Sequence, residues 1–399
     1  MSGGGRARIT RVVASNFLSL GTDVSVDLGD LTVLAGINGS GKSNVLATLS
    51  FVASALDNGM AFALVARRGI SALRRHVGRT SPAIRLSYEL DGPGWYGSYE
   101  IEIGGTENSY TVRTEAASIT YRASAGHWSY SARLGELRDP GPELAGIPST
   151  FDDLLLRVIG GIKQYSPLRD ALRSVRSYAI YPDSLREPSK PSPLAYLDTT
   201  GTNWASIVRG VAAGSYGGEL RAALAQVTGD VIDLRVDQLG DNLAVLFRHR
   251  VDAGDRRGGA WFDAGRESDG TLRIAGLLTA LLQEPPLTLI AVEEPELTIH
   301  PGAIPLVVDF LRMAASWSQV LITTHSPELL DMIAPEEIRV VQRIAGVTTV
   351  SPVDAGQVGL VRAQLATPGE LLRREGLAPQ TQAPQTQAPQ TQAPRDQAE

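Results

Sequence analysis

The 399-residue chain contains no cysteine. That excludes a disulfide framework, a cysteine-ligated zinc site and thiol catalysis, and it agrees with a reducing compartment. Lysine is nearly absent as well: Lys42, Lys163 and Lys190 stand alone among 37 basic residues. No apolar run approaches the roughly 20 residues of a membrane span. The opening stretch MSGGGRARITRVVASNF has no uninterrupted apolar region, because Ser15 and Asn16 break it. Neither a membrane span nor a signal peptide is expected, and the reading is a soluble cytoplasmic chain without a membrane partner. The net charge of −6 gives no global pull toward nucleic acid or anionic lipid. No heptad pattern persists, so no long coiled coil is expected.

What remains is an ordinary globular composition, 43% hydrophobic and 20% charged. The length allows two or three lobes, or one large α/β domain with insertions. Residues 9–14 and 31–35 are rich in β-branched residues and read as strands. After Gly36–Ser43, Val45, Leu46, Leu49, Val52 and Leu56 recur at helical spacing. Residues 83–90, 98–103, 109–114 and 117–123 alternate apolar and polar residues between breaks, which predicts antiparallel hairpins in a side sheet. Past the breaker-rich stretch 139–148, helices are expected at 151–162, 167–176, 204–212 and 216–227, with a hairpin at 231–237 and 243–249. Strands at 287–292, 319–323 and 337–342 then alternate with helices at 270–283, 303–315 and 327–333, which predicts a largely parallel sheet. The expected organisation is residues 1–138, a mainly helical insertion over 139–265, a returning core over 266–376, and a disordered APQTQ-repeat tail over 377–399.

Four clusters carry chemistry. Gly36-Ile37-Asn38-Gly39-Ser40-Gly41-Lys42-Ser43 fits G-x-x-x-x-G-K-[ST] between a strand and a helix. Its glycines let backbone N–H groups turn inward around phosphates, and the helix N-terminus adds its dipole. Lys42 would reach the β/γ oxygens and Ser43 would ligate Mg²⁺. The bland reading, a Gly-rich turn with a solvated lysine, does not need the strand and helix that flank the loop. The second cluster ends a buried strand in Glu293-Glu294-Pro295. There Glu293 is the metal-side acid and Glu294 the general base, against the alternative of two solvated acids. The third is Thr323-Thr324-His325-Ser326, where His325 can meet a γ-phosphate. The fourth, Glu267-Ser268-Asp269-Gly270-Thr271, is first of all a helix N-cap, and a capped N-terminus is also a phosphate surface.

In this order the four clusters resemble the ATP-binding-cassette ATPases, and within them the SMC/RecF/OLD-like branch of bacterial AAA-family ATPases. Asn38 and Asn44 in the loop, the opening ITRVVASNFLSL, and Ser268–Arg273 in place of the LSGGQ signature carry that likeness. So do Glu293-Glu294-Pro295-Glu296 with His300-Pro301, and Thr324–Pro327. The resemblance implies an α/β P-loop NTPase head with a mostly parallel core sheet, an antiparallel β side sheet and a mainly helical insertion. It implies ATP and Mg²⁺ as cofactors, and a homodimer in which Ser268 and Gly270 contact ATP held by a second copy, with His300 at the interface. The sequence departs from the pattern at Glu293 for the commoner Asp, Leu18 for Arg or Lys, and Asp269 for the first signature Gly. Residues 178–186 are taken as the counterpart of the Q-loop, although they contain no Gln. Ser268 lies only 226 positions after Lys42, without heptads, and only 74 residues follow His325, so neither coiled-coil arms nor a TOPRIM nuclease is expected.

The function expected is Mg²⁺-dependent ATP hydrolysis serving DNA maintenance or defence against phage. One rival is a nucleotide-gated switch acting on a separate nuclease or toxin; the other is a transporter's nucleotide-binding subunit. Arg67, Arg68, Arg74, Arg75, His76 and Arg79 form a candidate contact for duplex DNA. The alternative for that cluster is a solvated or acid-paired helix face.

Overall fold

A computed structural model describes residues 5–75, 82–106, 109–124, 126–138, 140–147, 153–250, 259–374 and 376–380. Its core is a six-stranded sheet. In spatial order the strands are Val347–Pro352, Ile338–Ile344, Leu31–Ala35, Gln319–Thr324, Leu289–Glu293 and Val175–Tyr178. The first pair is antiparallel and every other pair is parallel. All residues of Leu31–Ala35 and Gln319–Thr324 are buried, as strands covered on both faces require. Alternation divides them between two cores. Val33, Ile322 and Val292 face the helices Trp204–Ala213, Gly217–Thr228, Asp269–Leu282 and Ile304–Ala314. Leu34, Leu321 and Ala291 face the helices Lys42–Asn58 and Ser166–Arg173 and the second sheet. All five apolar positions spaced along Lys42–Asn58 are buried.

The second sheet is the expected antiparallel side sheet. Its seven strands run in the order Val24–Asp27, Arg8–Ser15, Ile84–Gly92, Trp95–Thr106, Ser109–Tyr121, His127–Arg133 and Glu136–Arg138. Residues 109–114 and 117–123, expected as two strands, form one, because Glu115 turns inward instead of breaking it. Glu115 accepts hydrogen bonds from Tyr99 and Tyr130 and from the N–H groups of Leu155 and Leu156, which join the side sheet to the helix Leu155–Ile159. The Gln319 side chain bonds both Ile9 backbone groups and Gly29 O, fastening the side sheet to the core.

Three other expectations need correction. The helix expected over 167–176 ends at Arg173, and Val175–Tyr178 becomes the edge strand of the core sheet. Helical spacing in a short segment cannot register pairing with a strand more than a hundred residues away. The hairpin Val231–Leu239 and Asn242–His249 gains a third strand, Ala260–Asp263. Residues 377–380, expected in the tail, are ordered: Leu377 is buried, and Pro379 bridges Val353 with Gln380 N–H donating to Pro352 O. Residues 381–399 lie outside the described residues.

Register sets the level of the strand tips. Thr323 lies opposite both Glu293 and Leu34, and Thr324 lies opposite Ala35. The three parallel strands therefore end side by side and lead into Gly36, Glu294 and His325. A crevice at the carboxyl ends of parallel strands is where open α/β sheets place their ligands.

Candidate active site

The loop Gly36–Ser43 is held in an open curve by close contacts. A Cβ on Gly36 would lie 2.3 Å from the Val341 carbonyl oxygen, so only glycine fits. Gly41 has φ 104° and starts the helix Lys42–Asn58; a Cβ there would lie 2.2 Å from Thr348 Oγ1. Asn38 and Gly39 are exposed at the rim, and Ser40 is buried. A chain of hydroxyls supports the curve from behind. Asn44 Nδ2 donates to Ser19 Oγ, Ser19 Oγ lies 2.7 Å from Thr348 Oγ1, and Thr348 Oγ1 donates to Ser40 O at 2.8 Å.

Lys42 is only 6% exposed. Its Nζ donates to the carbonyls of Gly36 (2.8 Å) and Ile37 (3.1 Å), lying across the mouth of its own loop. Burial lowers its pKa, and Glu294, Glu296 and Glu293 oppose that drop. One cation thus faces three acids. Ser43 Oγ donates to Glu293 Oε2 at 2.9 Å across 250 positions of sequence. His325 Nδ1 lies 3.0 Å from Glu294 Oε1. The predicted loop, acids and imidazole therefore meet at one place.

Glu294 has φ 44°, in the left-handed region. Its N–H donates to both the carbonyl and the hydroxyl of Thr323, each at 3.1 Å, and its carbonyl accepts from Arg273 at 3.1 Å. Glu296 is buried beneath it. One of its oxygens accepts from Thr324 Oγ1 and the other has no partner. Burial raises the pKa of this carboxyl. Thr324 Oγ1 also accepts from Ser326 N–H at 3.0 Å, so the backbone on either side of His325 is pinned through Glu296.

Ser268 and Gly270 begin the helix Asp269–Leu282. Ser268 Oγ accepts from Thr271 N–H at 3.1 Å, the expected N-cap. Ser268 and Asp269 are exposed, and Ser268 bonds within its own helix rather than to the phosphate loop. A Cβ on Gly270 would approach Thr298 O at 3.1 Å, so this turn packs against the segment leading to His300. His300 is exposed and caps the short helical turn Pro301–Ala303. Arg186 pairs with the Asp269 carboxylate, offsetting its charge, and donates to Glu267 O at 2.7 Å. His249 bridges Asp230 at 2.9 Å and Glu267 at 2.6 Å just before Ser268. Burial opposes protonation of this imidazole, but the two carboxylates prevail and raise its pKa.

The sequence reading quoted Arg273, Glu296 and Thr324 within its motifs without giving them a role, and it did not name Thr348. Arg273 had a signal, a lone charge inside an apolar helix; Thr348 had none. The segment 178–186 follows the edge strand beside Leu289–Glu293 and bonds Arg273 through Ile180 O. Two of the described arginines of the cluster bond inward. Arg74 is buried with a guanidinium bond to Gly105 O, and Arg67 bonds Ala63 O and Ser50 Oγ. His76 and Arg79 lie outside the described residues.

The donor set suits Mg²⁺. A hydroxyl and a carboxylate in contact at an exposed strand tip are hard oxygen ligands, and Mg²⁺ takes few protein ligands beside phosphate and water. Among the described residues no helix is long and apolar enough to cross a membrane.

A family model described as "AAA domain, putative AbiEii toxin, Type IV TA system" matches residues 31–149 and 161–331. No curated protein matches the sequence. Two solved structures resemble the fold. One is an Smc head domain with an extended coiled coil from Pyrococcus furiosus, bound to the C-terminal domain of ScpA. It is 13% identical, with TM-score 0.52, over 90% of this chain and all (100%) of that one. The other is an SmcHead bound to the C-winged helix domain of ScpA, 14% identical, with TM-score 0.51, over 88% of this chain and 99% of that one.

Proposed function

The chain belongs to this AAA-domain family, and from that premise we propose that it binds ATP with Mg²⁺ at Gly36–Ser43 and hydrolyses it. One observation carries the reading. Ser43 meets Glu293, and Glu294 meets His325, at the tips of neighbouring parallel strands beside Lys42.

The loop N–H groups cradle the phosphates, and Lys42 leaves the carbonyls of Gly36 and Ile37 for the β/γ oxygens. Ser43 and Glu293 hold the metal, and Mg²⁺, when bound, supplies neutralisation of the phosphate charge. Glu294 accepts the proton of the attacking water, and His325 holds Glu294 and contacts the γ-phosphate. Water attacks phosphorus, the bond to the β–γ bridging oxygen breaks, and ADP and inorganic phosphate leave. No group on the chain becomes phosphorylated.

A homodimer completes this site. Ser268 and the exposed N-terminus of its helix lack a partner from their own phosphate loop, and they suit the γ-phosphate of a nucleotide held by a second copy. The two similar Smc heads bind ScpA domains. By analogy a separate effector, a nuclease or a toxin, is the output partner here, in DNA maintenance or phage defence. The family description favours a second reading, a nucleotide-gated switch in a toxin–antitoxin pair for which turnover is secondary. No observation in the structure favours a transporter subunit.

Steady-state ATP turnover by the purified chain tests the proposal. Wild type should hydrolyse ATP, and Lys42→Ala and Glu294→Gln should not. Equal turnover by all three would refute it. If Glu294→Gln loses turnover but keeps the biological output, the switch reading is correct.

A further inference from the structure

Arg273 is the only charged residue of the helix Asp269–Leu282 after its first position, and it is 5% exposed. A buried guanidinium ordinarily forks onto a carboxylate. This one donates instead to three backbone carbonyls, those of Ile180, Glu293 (3.0 Å) and Glu294 (3.1 Å). The three belong to two segments. Ile180 follows the edge strand of the core, Glu293 ends the neighbouring strand and Glu294 comes next.

The bond to Glu294 falls where the backbone is strained. Glu294 sits at φ 44°, a conformation that costs a non-glycine residue free energy unless its surroundings impose it. Thr323 holds its N–H and Arg273 holds its carbonyl, so the residue is clamped on both sides. Its carboxylate is thereby directed to His325. Ser268 lies five residues earlier on the same helix, about 7 Å along the axis. One turn onward, Gly276 packs against the Ile180 segment so closely that a Cβ would lie 2.8 Å from both Ile180 and Leu185. Helix, edge segment and acid-bearing turn thus pack against one another.

We propose that Arg273 is a positioning residue that fixes the turn at Glu294 and couples it to the Ser268 end of the helix. The inference rests on the hydrolytic reading above. Engagement of Ser268 then sets the general base through rigid contacts, without Arg273 touching nucleotide.

Three full-length variants test it: Arg273→Met, Arg273→Lys and Ser268→Ala, with the Arg273→Met/Ser268→Ala pair. ATP affinity measured in EDTA should stay at the wild-type value in Arg273→Met and Arg273→Lys. In Arg273→Met, kcat should fall on the order of a hundredfold with KM little changed, since a misplaced base costs that much. Arg273→Lys should restore little, because one ammonium cannot span three carbonyls. Ser268→Ala should lower kcat in wild type but add little in Arg273→Met. Retained kcat in Arg273→Met, or additive losses in the double variant, overturns the inference. If the Arg273 variants do not fold, hydrogen exchange on wild type decides: ATP should protect residues 178–181, 268–273 and 293–295 together. Protection confined to the phosphate loop overturns the coupling. A wild-type chain that binds ATP without turnover refutes the hydrolytic reading, while the exchange pattern still tests the coupling.

Discussion

Thr348→Val removes one hydroxyl at the back of the phosphate loop and leaves shape nearly unchanged. Thr348 is fully buried, its side chain in contact with Ser40 O and Ser19 Oγ. Valine leaves the Ser40 carbonyl and the Ser19 O–H without this partner in a buried site, while Ser19 Oγ still accepts from Asn44. Each lost bond is worth about 1 kcal/mol, and each stranded buried group costs about 1–3 kcal/mol. A total of roughly 2–4 kcal/mol falls on the curve that holds Gly41 in its left-handed conformation. If about 2 kcal/mol of that is lost to nucleotide binding, the Kd for ATP rises about 30-fold. Calorimetric titration with ATP, alongside thermal unfolding, measures both parts. Thr348→Ser keeps the hydroxyl and should bind close to wild type. The reasoning fails if valine binds as wild type does. It also fails if serine and valine weaken binding equally, because the methyl group would then be what matters.

Glu293→Ala should leave ATP affinity in EDTA unchanged and abolish the increment that Mg²⁺ adds, read from a magnesium titration at fixed ATP; a preserved increment would place the metal elsewhere. Glu115→Gln should destabilise the fold by about 2–4 kcal/mol, because an amide nitrogen cannot accept the Leu155 N–H that meets Glu115 Oε2. Denaturant unfolding checks this, and a loss under about 0.5 kcal/mol would contradict the four-donor account. The raised pKa of His249 gives a pH dependence. Its contribution is fully present below the unfolded pKa of about 6.5 and is lost as pH rises through the higher folded value. Asp230 and Glu267 face it, with the Phe262 ring edge-on. Thermal unfolding across pH 6–9 should therefore decline more steeply in wild type than in His249→Asn, and parallel curves would dismiss the clasp.

The parts legible in the sequence were those encoded by consecutive residues. Gly36–Ser43 carries its strand, turn and helix within one window, and Glu293-Glu294 and His325 each sit at the end of an apolar run that can only be a buried strand. Local patterning also predicted the helix Lys42–Asn58 and the side sheet. What escaped depends on contacts between distant segments. Val175–Tyr178 is a strand because Leu289–Glu293 lies beside it, and Thr348 reaches Ser40 across 308 positions. The burial of Arg74 escaped for the same reason, since side-chain direction decides whether its guanidinium meets solvent or Gly105 O. Asp269 reads as a defect in the signature until Arg186, 83 positions away, is seen to offset its charge.

The most direct test is the structure of the Glu294→Gln chain with ATP and Mg²⁺. The account predicts the γ-phosphate between Lys42 and His325, the metal on Ser43 and Glu293, and Ser268 of a second copy against the same phosphate. A nucleotide bound away from Gly36–Ser43, or one whose γ-phosphate lies remote from residue 294 and His325, would contradict it.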